Sequence, residues 1–148
     1  MKTRLNPYQT TPDTIRPMLD FEAAVHGLGI EPKLIHLIKL RASQINGCAF
    51  CLDMHANEAR ADGESQQRLD VLGAWRETNF FDERERAALG WTEALTRIAD
   101  THAPDDAYEE FAAAFDEKER VAITLAIVAI NGWNRLAIGF RSLPPRRR

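Results

Sequence analysis

The feature of the sequence best suited to chemistry is a pair of cysteines with a histidine beside them. The chain has two cysteines in 148 residues, and they lie three positions apart as Cys48 and Cys51, with His55 four positions further along. On a helix, residues three and four apart share a face, so these side chains would line one stripe. Two thiols within bonding reach, beside an imidazole that can accept a proton, form a redox site. The spacing therefore predicts a pair that cycles between dithiol and disulfide.

The surroundings of the pair indicate how a thiol could be activated. A free thiol has a pKa of about 8.5, and only its thiolate attacks. The Asn46-Gly47 turn signal predicts a helix beginning at Cys48, where unpaired N–H groups and the helix dipole favour a thiolate. His55 is closer in helical spacing to Cys51 and could accept its proton. A thiolate can attack a peroxide O–O bond and leave a sulfenic acid, which the other thiol converts to a disulfide. The spacing alone leaves open which cysteine attacks.

A second histidine, His36, lies twelve residues before Cys48, on the helix expected to precede the pair. It could face the thiols across the turn and pass protons. It could also complete a Cys2His2 zinc set with Cys48, Cys51 and His55. A non-enzymatic redox sensor and a zinc-stabilised helical oligomer are therefore alternative hypotheses to an enzyme. A thioredoxin-type oxidoreductase is not expected, because no strand is predicted before the cysteines.

Charge and composition indicate where the protein works. A net charge of −3 and a pI of about 5.8 argue against general affinity for nucleic acid or for anionic membranes. Residues 1–7 lack the apolar stretch of a signal peptide, and the longest apolar run, residues 121–130, is short for a membrane span. We therefore expect a cytoplasmic protein without a nucleic-acid or membrane partner. In that compartment a lone C-x-x-C is more typical of catalysis or metal binding than of a structural bridge.

The elements that must position these residues are all predicted to be helices. Apolar residues recur at helical spacing almost throughout, which predicts a single all-α domain, with a core over residues 12–141 and a solvated basic tail over residues 142–148. Helix starts are expected near Pro12, Pro32, Cys48 and Pro104, with a disturbance at Pro17.

Two further helices begin with recognisable caps. Asp82 with Glu85, and Asp116 with Glu119, resemble capping boxes. The final helix, over residues 117–140, is the most apolar, so we expect it to be the most buried.

The stretch from Leu40 to His55, LRASQINGCAFCLDMH, resembles the signature of the AhpD-like alkylhydroperoxidases of the carboxymuconolactone decarboxylase superfamily, and residues 130–135 resemble that family's closing segment. The resemblance implies an all-helical bundle that assembles as a homo-oligomer, commonly a trimer or a hexamer. It implies thiol-dependent reduction of peroxides, with electrons from an external dithiol or a protein reductant and with no haem, flavin or metal cofactor. Decarboxylase chemistry is not expected, because those relatives typically lack the cysteine pair.

The resemblance also implies roles for individual residues. Cys51 would be the peroxide-attacking cysteine, Cys48 the resolving one, and His55 part of the proton relay. The family's relay usually includes a glutamate twelve residues before the first cysteine, and this chain has His36 there. An imidazole can pass a proton near neutral pH. We expect His36 to act in the relay, without a carboxylate to hold an imidazolium in place.

Overall fold

The computed structural model describes residues 1–146, so Arg147 and Arg148 of the expected basic tail lie outside the described residues. Within that range the chain forms nine α-helices and one 3-10 helix, with no strand. The α-helices are α1 (Pro7–Thr10), α2 (Pro12–His26), α3 (Pro32–Asn46), α4 (Ala49–Ala61), α5 (Gln66–Val71), α6 (Glu83–Thr96), α7 (Ile98–Thr101), α8 (Asp105–Ala114) and α9 (Glu117–Phe140). The 3-10 helix, Leu72–Glu77, follows α5 directly. The expected all-α, single-domain fold is confirmed.

Both predicted capping boxes are present. The Asp82 carboxylate accepts the backbone N–H of Glu85 at 2.9 Å, and the Glu85 carboxylate accepts that of Asp82 at 2.9 Å. Asp116 and Glu119 make the same exchange at 2.8 and 2.9 Å. Each box satisfies two donors that would otherwise be unpaired at the first turn of a helix. These caps therefore fix the starts of α6 and α9.

The structure confirms the expected helix start at Pro12 and adds short elements that were not expected. Helix α2 runs from Pro12 to His26 with Pro17 inside it, although the proline lacks the N–H of a normal helical hydrogen bond. Between α4 and α6 the chain forms α5 and the 3-10 helix, and Ala74 within the 3-10 helix lies outside helical geometry. The one-turn helices α1 and α7 were not predicted, because four residues are too few to show a periodic pattern.

Helices α3 and α9 form the centre of the molecule. Helix α3 packs against α4, α6 and α9, and α9 also packs against α2. Within the described residues α9 is the one helix long and apolar enough to cross a membrane by length and composition. The core helix of a globular protein can pass the same test. Ala126, Ile127 and Ile130 of α9 are buried against neighbouring helices, so α9 lies in the core. The expectation that it is the most buried helix is wrong, because a larger share of the shorter helix α3 is buried.

Candidate functional site

The two cysteines lie at a tight turn between α3 and α4. Gly47 ends α3 in the left-handed region at φ 70°, a conformation that glycine adopts without a Cβ penalty. The backbone N–H of Cys48 then donates to the carbonyl of Ser43 at 3.0 Å, which satisfies one of the last carbonyls of α3. The Asn46 side-chain amide donates to Asn131 and Asn134 of α9 at 3.0 and 2.8 Å. These bonds hold the turn against the central helix.

Cys48 and Cys51 are joined in a disulfide, with their Cα atoms 5.4 Å apart. Cys48 is the N-cap of α4, one position before the helix, and its Sγ accepts the backbone N–H of Cys51 at 3.3 Å. The predicted C-x-x-C at a helix N-terminus is therefore present. Cys48 is 1% exposed and Cys51 is 2% exposed, and both contact a buried cluster with Ala42 and Ile130.

A cavity of about 620 Å³ opens beside the disulfide, and of the two cysteines it is Cys51 that lines it. Most of its wall is apolar, with contributions from Ile15, Leu19, Phe50, Met54, Trp133 and Leu136. The residues named as possible relay groups, His36 and His55, also line this cavity. The structure thus brings Cys51 and both histidines to the lining of one cavity, while Cys48 is bonded to Cys51 and does not line it.

His55 is held by a carboxylate from its own helix. Its Nδ1 lies 2.7 Å from a carboxylate oxygen of Glu58, one turn further along α4, and the His55 side chain is 5% exposed. Since a carboxylate only accepts, Nδ1 of His55 is protonated, and in the neutral ring the lone pair is then on Nε2. The hydrogen bond from His55 holds the pKa of Glu58 below its ordinary value, against the effect of burial. Glu58 is therefore ionised at neutral pH.

His36 also has a carboxylate partner. Its Nε2 lies 2.7 Å from a carboxylate oxygen of Asp62, the residue that ends α4. The Asp62 side chain is half exposed, and the Nδ1 of His36 is buried without a partner. Two separate histidine–carboxylate pairs therefore stand on the cavity wall.

A buried lysine forms the third polar contact of the cavity. Lys39 of α3 forms an ion pair with Glu22 of α2, which also accepts the Trp133 indole N–H of α9 at 2.9 Å. Burial raises the pKa of Glu22, but the hydrogen bonds from Lys39 and Trp133 outweigh it and hold that pKa below its ordinary value. His26 lies 2.9 Å from the same carboxylate. This cluster joins three helices at the cavity wall.

The zinc alternative finds no support in the arrangement of the donors. Cys48 and Cys51 are bonded to each other, and His36 is engaged with Asp62. Among residues 1–146 no group of three or more histidine, cysteine or acidic side chains is placed to hold a metal ion.

Sequence reasoning missed four polar residues of the cavity. Glu58 could have been found, because a carboxylate three positions after His55 shares its helical face. Asp62, Lys39 and Glu22 could not, because each makes its contact with another helix.

Comparisons with known proteins agree with this arrangement. Residues 12–94 match the profile of the carboxymuconolactone decarboxylase family, a stretch that contains the whole cysteine turn. The uncharacterized protein YdfG of Bacillus subtilis (strain 168) is 40% identical over 138 residues, which cover 93% of this chain and 94% of that protein. The uncharacterized protein YnjA of Escherichia coli (strain K12) is 29% identical over 114 residues, which cover 76% of this chain and 59% of that protein.

Solved structures share the fold over nearly the whole chain. ATU0492 from Agrobacterium tumefaciens is a protein of unknown function for which a role in antioxidant defence, as AhpD, has been suggested. It superposes with a TM-score of 0.96 at 51% identity, covering 99% of this chain and 100% of that one. The debrominase Bmp8 superposes with a TM-score of 0.81 at 20% identity, covering 90% and 72% of the two chains, which shows a common fold alone. With a profile match over more than half of its length, the chain belongs to the carboxymuconolactone decarboxylase family, whose AhpD-like members it resembles at the cysteine turn.

Proposed function

We propose that this protein is a thiol-dependent peroxidase that reduces organic hydroperoxides through the Cys48–Cys51 pair. The observation that carries the proposal is the shared position of Cys51 and His55 on the wall of an apolar cavity. An attacking sulfur needs access to its substrate and a base to take its proton. Cys48 lies within bonding reach behind it, as a resolving thiol must. Membership in the carboxymuconolactone decarboxylase family supports an oxidoreductase of antioxidant type.

In the proposed reaction Cys51 attacks and Cys48 resolves. His55 takes the Cys51 proton at Nε2, and the thiolate attacks the outer oxygen of the hydroperoxide. An S–O bond forms, the O–O bond breaks, and the alkoxide takes the proton from His55 and leaves as an alcohol. Cys48 then attacks the sulfenic acid sulfur, so that the disulfide forms and water departs with the remaining proton. The bonded pair in the structure is the product of this step.

The walls of the cavity favour an organic hydroperoxide over hydrogen peroxide. Phe50, Met54 and Leu136 offer apolar surface beside Cys51, and the space of about 620 Å³ is within the range of small-molecule sites. Burial of an apolar substituent stabilises the bound substrate, whereas hydrogen peroxide gains nothing from such walls. In this proposal the apolar substituent of the substrate packs against the cavity walls, and its O–O group is directed at Cys51.

The partners in this proposal follow from the chemistry. Reduction of the disulfide consumes two electrons, which an external dithiol or a protein reductant would supply. A cytoplasmic location would suit this cycle, because thiol reductants are abundant there. Self-association as a trimer or hexamer is part of the proposal, and Val121 and Val128 on the outer face of α9 are apolar and more than half exposed. No step calls for nucleic acid, a membrane or a resident cofactor.

The first test counts thiols before and after a stoichiometric amount of cumene hydroperoxide. We expect the reduced protein to lose both thiols and to regain them with dithiothreitol. Turnover with excess reductant then separates an enzyme from a redox sensor, which would be oxidised once without sustained peroxide consumption. Decarboxylation or dehalogenation activity without peroxide consumption would also contradict the proposal.

The second test assigns the two sulfurs. Cys51→Ser should abolish peroxide consumption, because the attacking sulfur is lost. Cys48→Ser should leave a sulfenic acid on Cys51 that dimedone traps, because the resolving thiol is lost. Mass spectrometry locates the adduct. An adduct on Cys48 in the Cys51→Ser protein, with none in Cys48→Ser, would show that the roles are reversed.

A further inference from the structure

Three carboxylate side chains line the cavity together with Cys51, and two of them are bonded to side chains of other helices. Glu22 forms the ion pair with Lys39 and accepts the Trp133 indole N–H. Asp62 accepts the Nε2–H of His36. The third, Glu58, bonds the histidine that shares the Cys51 wall, at 2.7 Å. Its position on the same helix, one turn from His55, makes this contact independent of how the helices pack.

We infer that Glu58 is the positioning carboxylate of the thiol site, in the role that the family resemblance gives to a glutamate at position 36. The inference rests on the proposed function. Glu58 fixes the His55 ring with Nδ1 protonated, so that Nε2 is the nitrogen that exchanges protons with Cys51. It also stabilises the imidazolium that forms when Cys51 becomes a thiolate. In this chain the carboxylate therefore lies on α4, the helix that begins at the cysteine pair, and not on the preceding helix α3.

The charges around the pair favour this role. Lys39 and His36 of α3 lie close enough to Glu58 to favour its ionised form, together with His55 itself. The other titratable groups on the cavity wall are Tyr8 of α1, Glu22 and His26 of α2, Asp62 at the end of α4 and Cys51. Glu22 is paired with Lys39 and is not in contact with His55. Glu58 is therefore the carboxylate in direct contact with the imidazole that the thiol needs.

Cys51, His55 and Glu58 would act in turn as the nucleophile, the base and the group that orients the base. A base that is held in one tautomer by a carboxylate needs no rearrangement when it accepts a proton. Replacing the carboxylate by an amide of the same shape leaves the packing but allows the other tautomer. Glu58→Gln therefore separates charge and tautomer control from side-chain volume.

The decisive experiment uses Cys48→Ser protein, in which the first chemical step can be followed alone as sulfenic acid formation. Glu58→Gln should slow this step about tenfold or more at neutral pH. Because a thiolate–imidazolium pair without its carboxylate is less stable, the midpoint of the pH–rate profile should rise toward the range of an ordinary thiol. Glu58→Asp keeps the charge on a shorter side chain and should restore part of the rate. The ultraviolet absorbance of the thiolate gives the same midpoint without substrate.

Glu117→Gln is the matched control, since it removes one negative charge from a side chain that is 96% exposed on α9 and is not part of the cavity wall. Its pH midpoint should equal that of the parent protein. An unchanged midpoint and rate in Glu58→Gln would overturn the inference, and so would an equal shift in Glu117→Gln.

A measurement that does not depend on enzyme activity distinguishes failure of this inference from failure of the proposed function. Nitrogen–proton correlation spectra of the histidine rings report the tautomer of His55 in the oxidised protein. We expect Nδ1–H in the parent protein and in Glu58→Asp, and a loss of that preference in Glu58→Gln. If no peroxide is consumed but the tautomer depends on Glu58, the proposed reaction fails and the positioning role remains. If peroxide is consumed and His55 carries its proton on Nε2, the inference fails alone.

Discussion

Cys48 and Cys51 differ in what they face, although both are buried. Their sequence environments are nearly symmetrical, because the helix dipole favours a thiolate at Cys48 while His55 lies closer to Cys51. The cavity breaks this symmetry, since Cys51 contributes to its wall with His55. Access to a substrate therefore supports the same assignment as the family resemblance. Cys48 keeps a separate local task, because its Sγ caps the N–H of Cys51.

Substitution of His36 by glutamate tests whether a carboxylate at this position can take part in the proton relay. His36→Glu alone would set two carboxylates together, since His36 Nε2 lies 2.7 Å from Asp62. In the double variant His36→Glu, Asp62→Asn, the amide can donate to the new glutamate. We expect its peroxidase rate to equal or exceed that of the wild type, measured with cumene hydroperoxide and dithiothreitol.

The single variant His36→Glu is the control for that experiment and should unfold at lower urea concentration than the double variant, because like charges repel. A tenfold or greater loss of rate in the well-folded double variant would mean that the His36 imidazole itself is needed.

The central part of the site could be predicted from spacing because it lies on one helix. Cys48, Cys51 and His55 follow each other at helical intervals, and Glu58 continues the same face. Lys39 lies among the apolar residues of α3, and nothing in its neighbourhood along the chain indicates Glu22 as its partner. Such contacts depend on how helices pack, which the periodicity of each helix does not fix.

The turn between α3 and α4 is the element that sets the distance between the thiols. Gly47 adopts φ 70° with open space around the position of a Cβ, so a substitution there strains the backbone without a clash. Gly47→Ala should lower the free energy of unfolding by about 1 kcal/mol. Peroxide turnover should also fall, because the turn shifts Cys48 relative to Cys51. Urea titration and a steady-state assay measure the two effects.

Gly29 provides a matched control for that prediction. It has φ 84° and open space at its Cβ position, and it lies in the loop between α2 and α3, away from the thiol cavity. Gly29→Ala should cost a similar free energy of unfolding and leave turnover unchanged. Equal turnover in both variants would show that the geometry of the Gly47 turn does not control the chemistry.

Helix boundaries were predictable where a side chain performs the capping itself. Asp82 and Asp116 bond the first turns of α6 and α9, and such bonds depend on residues three positions apart. Pro17 lies inside α2, where its cost is local, whereas packing of Ile15 and Val25 stabilises the whole helix. A local cost of this kind does not end a helix when burial along its length outweighs it.

At the scale of the whole molecule, carboxylates with lowered pKa values tie stability to pH. Burial raises the pKa of Glu93, but hydrogen bonds from Arg76, Trp75 and Arg41 outweigh it and hold that pKa below its ordinary value. The pKa values of Glu22 and Glu58 are lowered as well. A carboxyl group with a lowered pKa stabilises the fold above its unfolded value of about 4.3, and this contribution is lost as the pH falls through the folded value.

We therefore expect the urea midpoint to be steady near neutral pH and to fall as the pH drops below about 4.5. Glu93→Gln should lower the free energy of unfolding at neutral pH by on the order of 3 kcal/mol, because Arg41 loses its buried partner. It should also make the decline at acid pH less steep. A decline as steep as that of the wild type would show that Glu93 does not contribute to it.

The fold by itself does not determine which reaction a protein catalyses. Bmp8 shares this architecture at 20% identity and is a debrominase. The chemistry of this chain lies in the local arrangement of a cysteine pair, a histidine and a carboxylate beside an apolar cavity. Function therefore has to be argued from the site and tested at the site.

The indole ring of Trp133 contacts the apolar cluster that contains both sulfurs, while Trp75 and Trp91 belong to other clusters. Disulfides quench the fluorescence of a neighbouring indole. Emission from Trp133 should consequently brighten when the bridge is opened, which gives the protein a built-in optical signal for following its oxidation in real time without a dye.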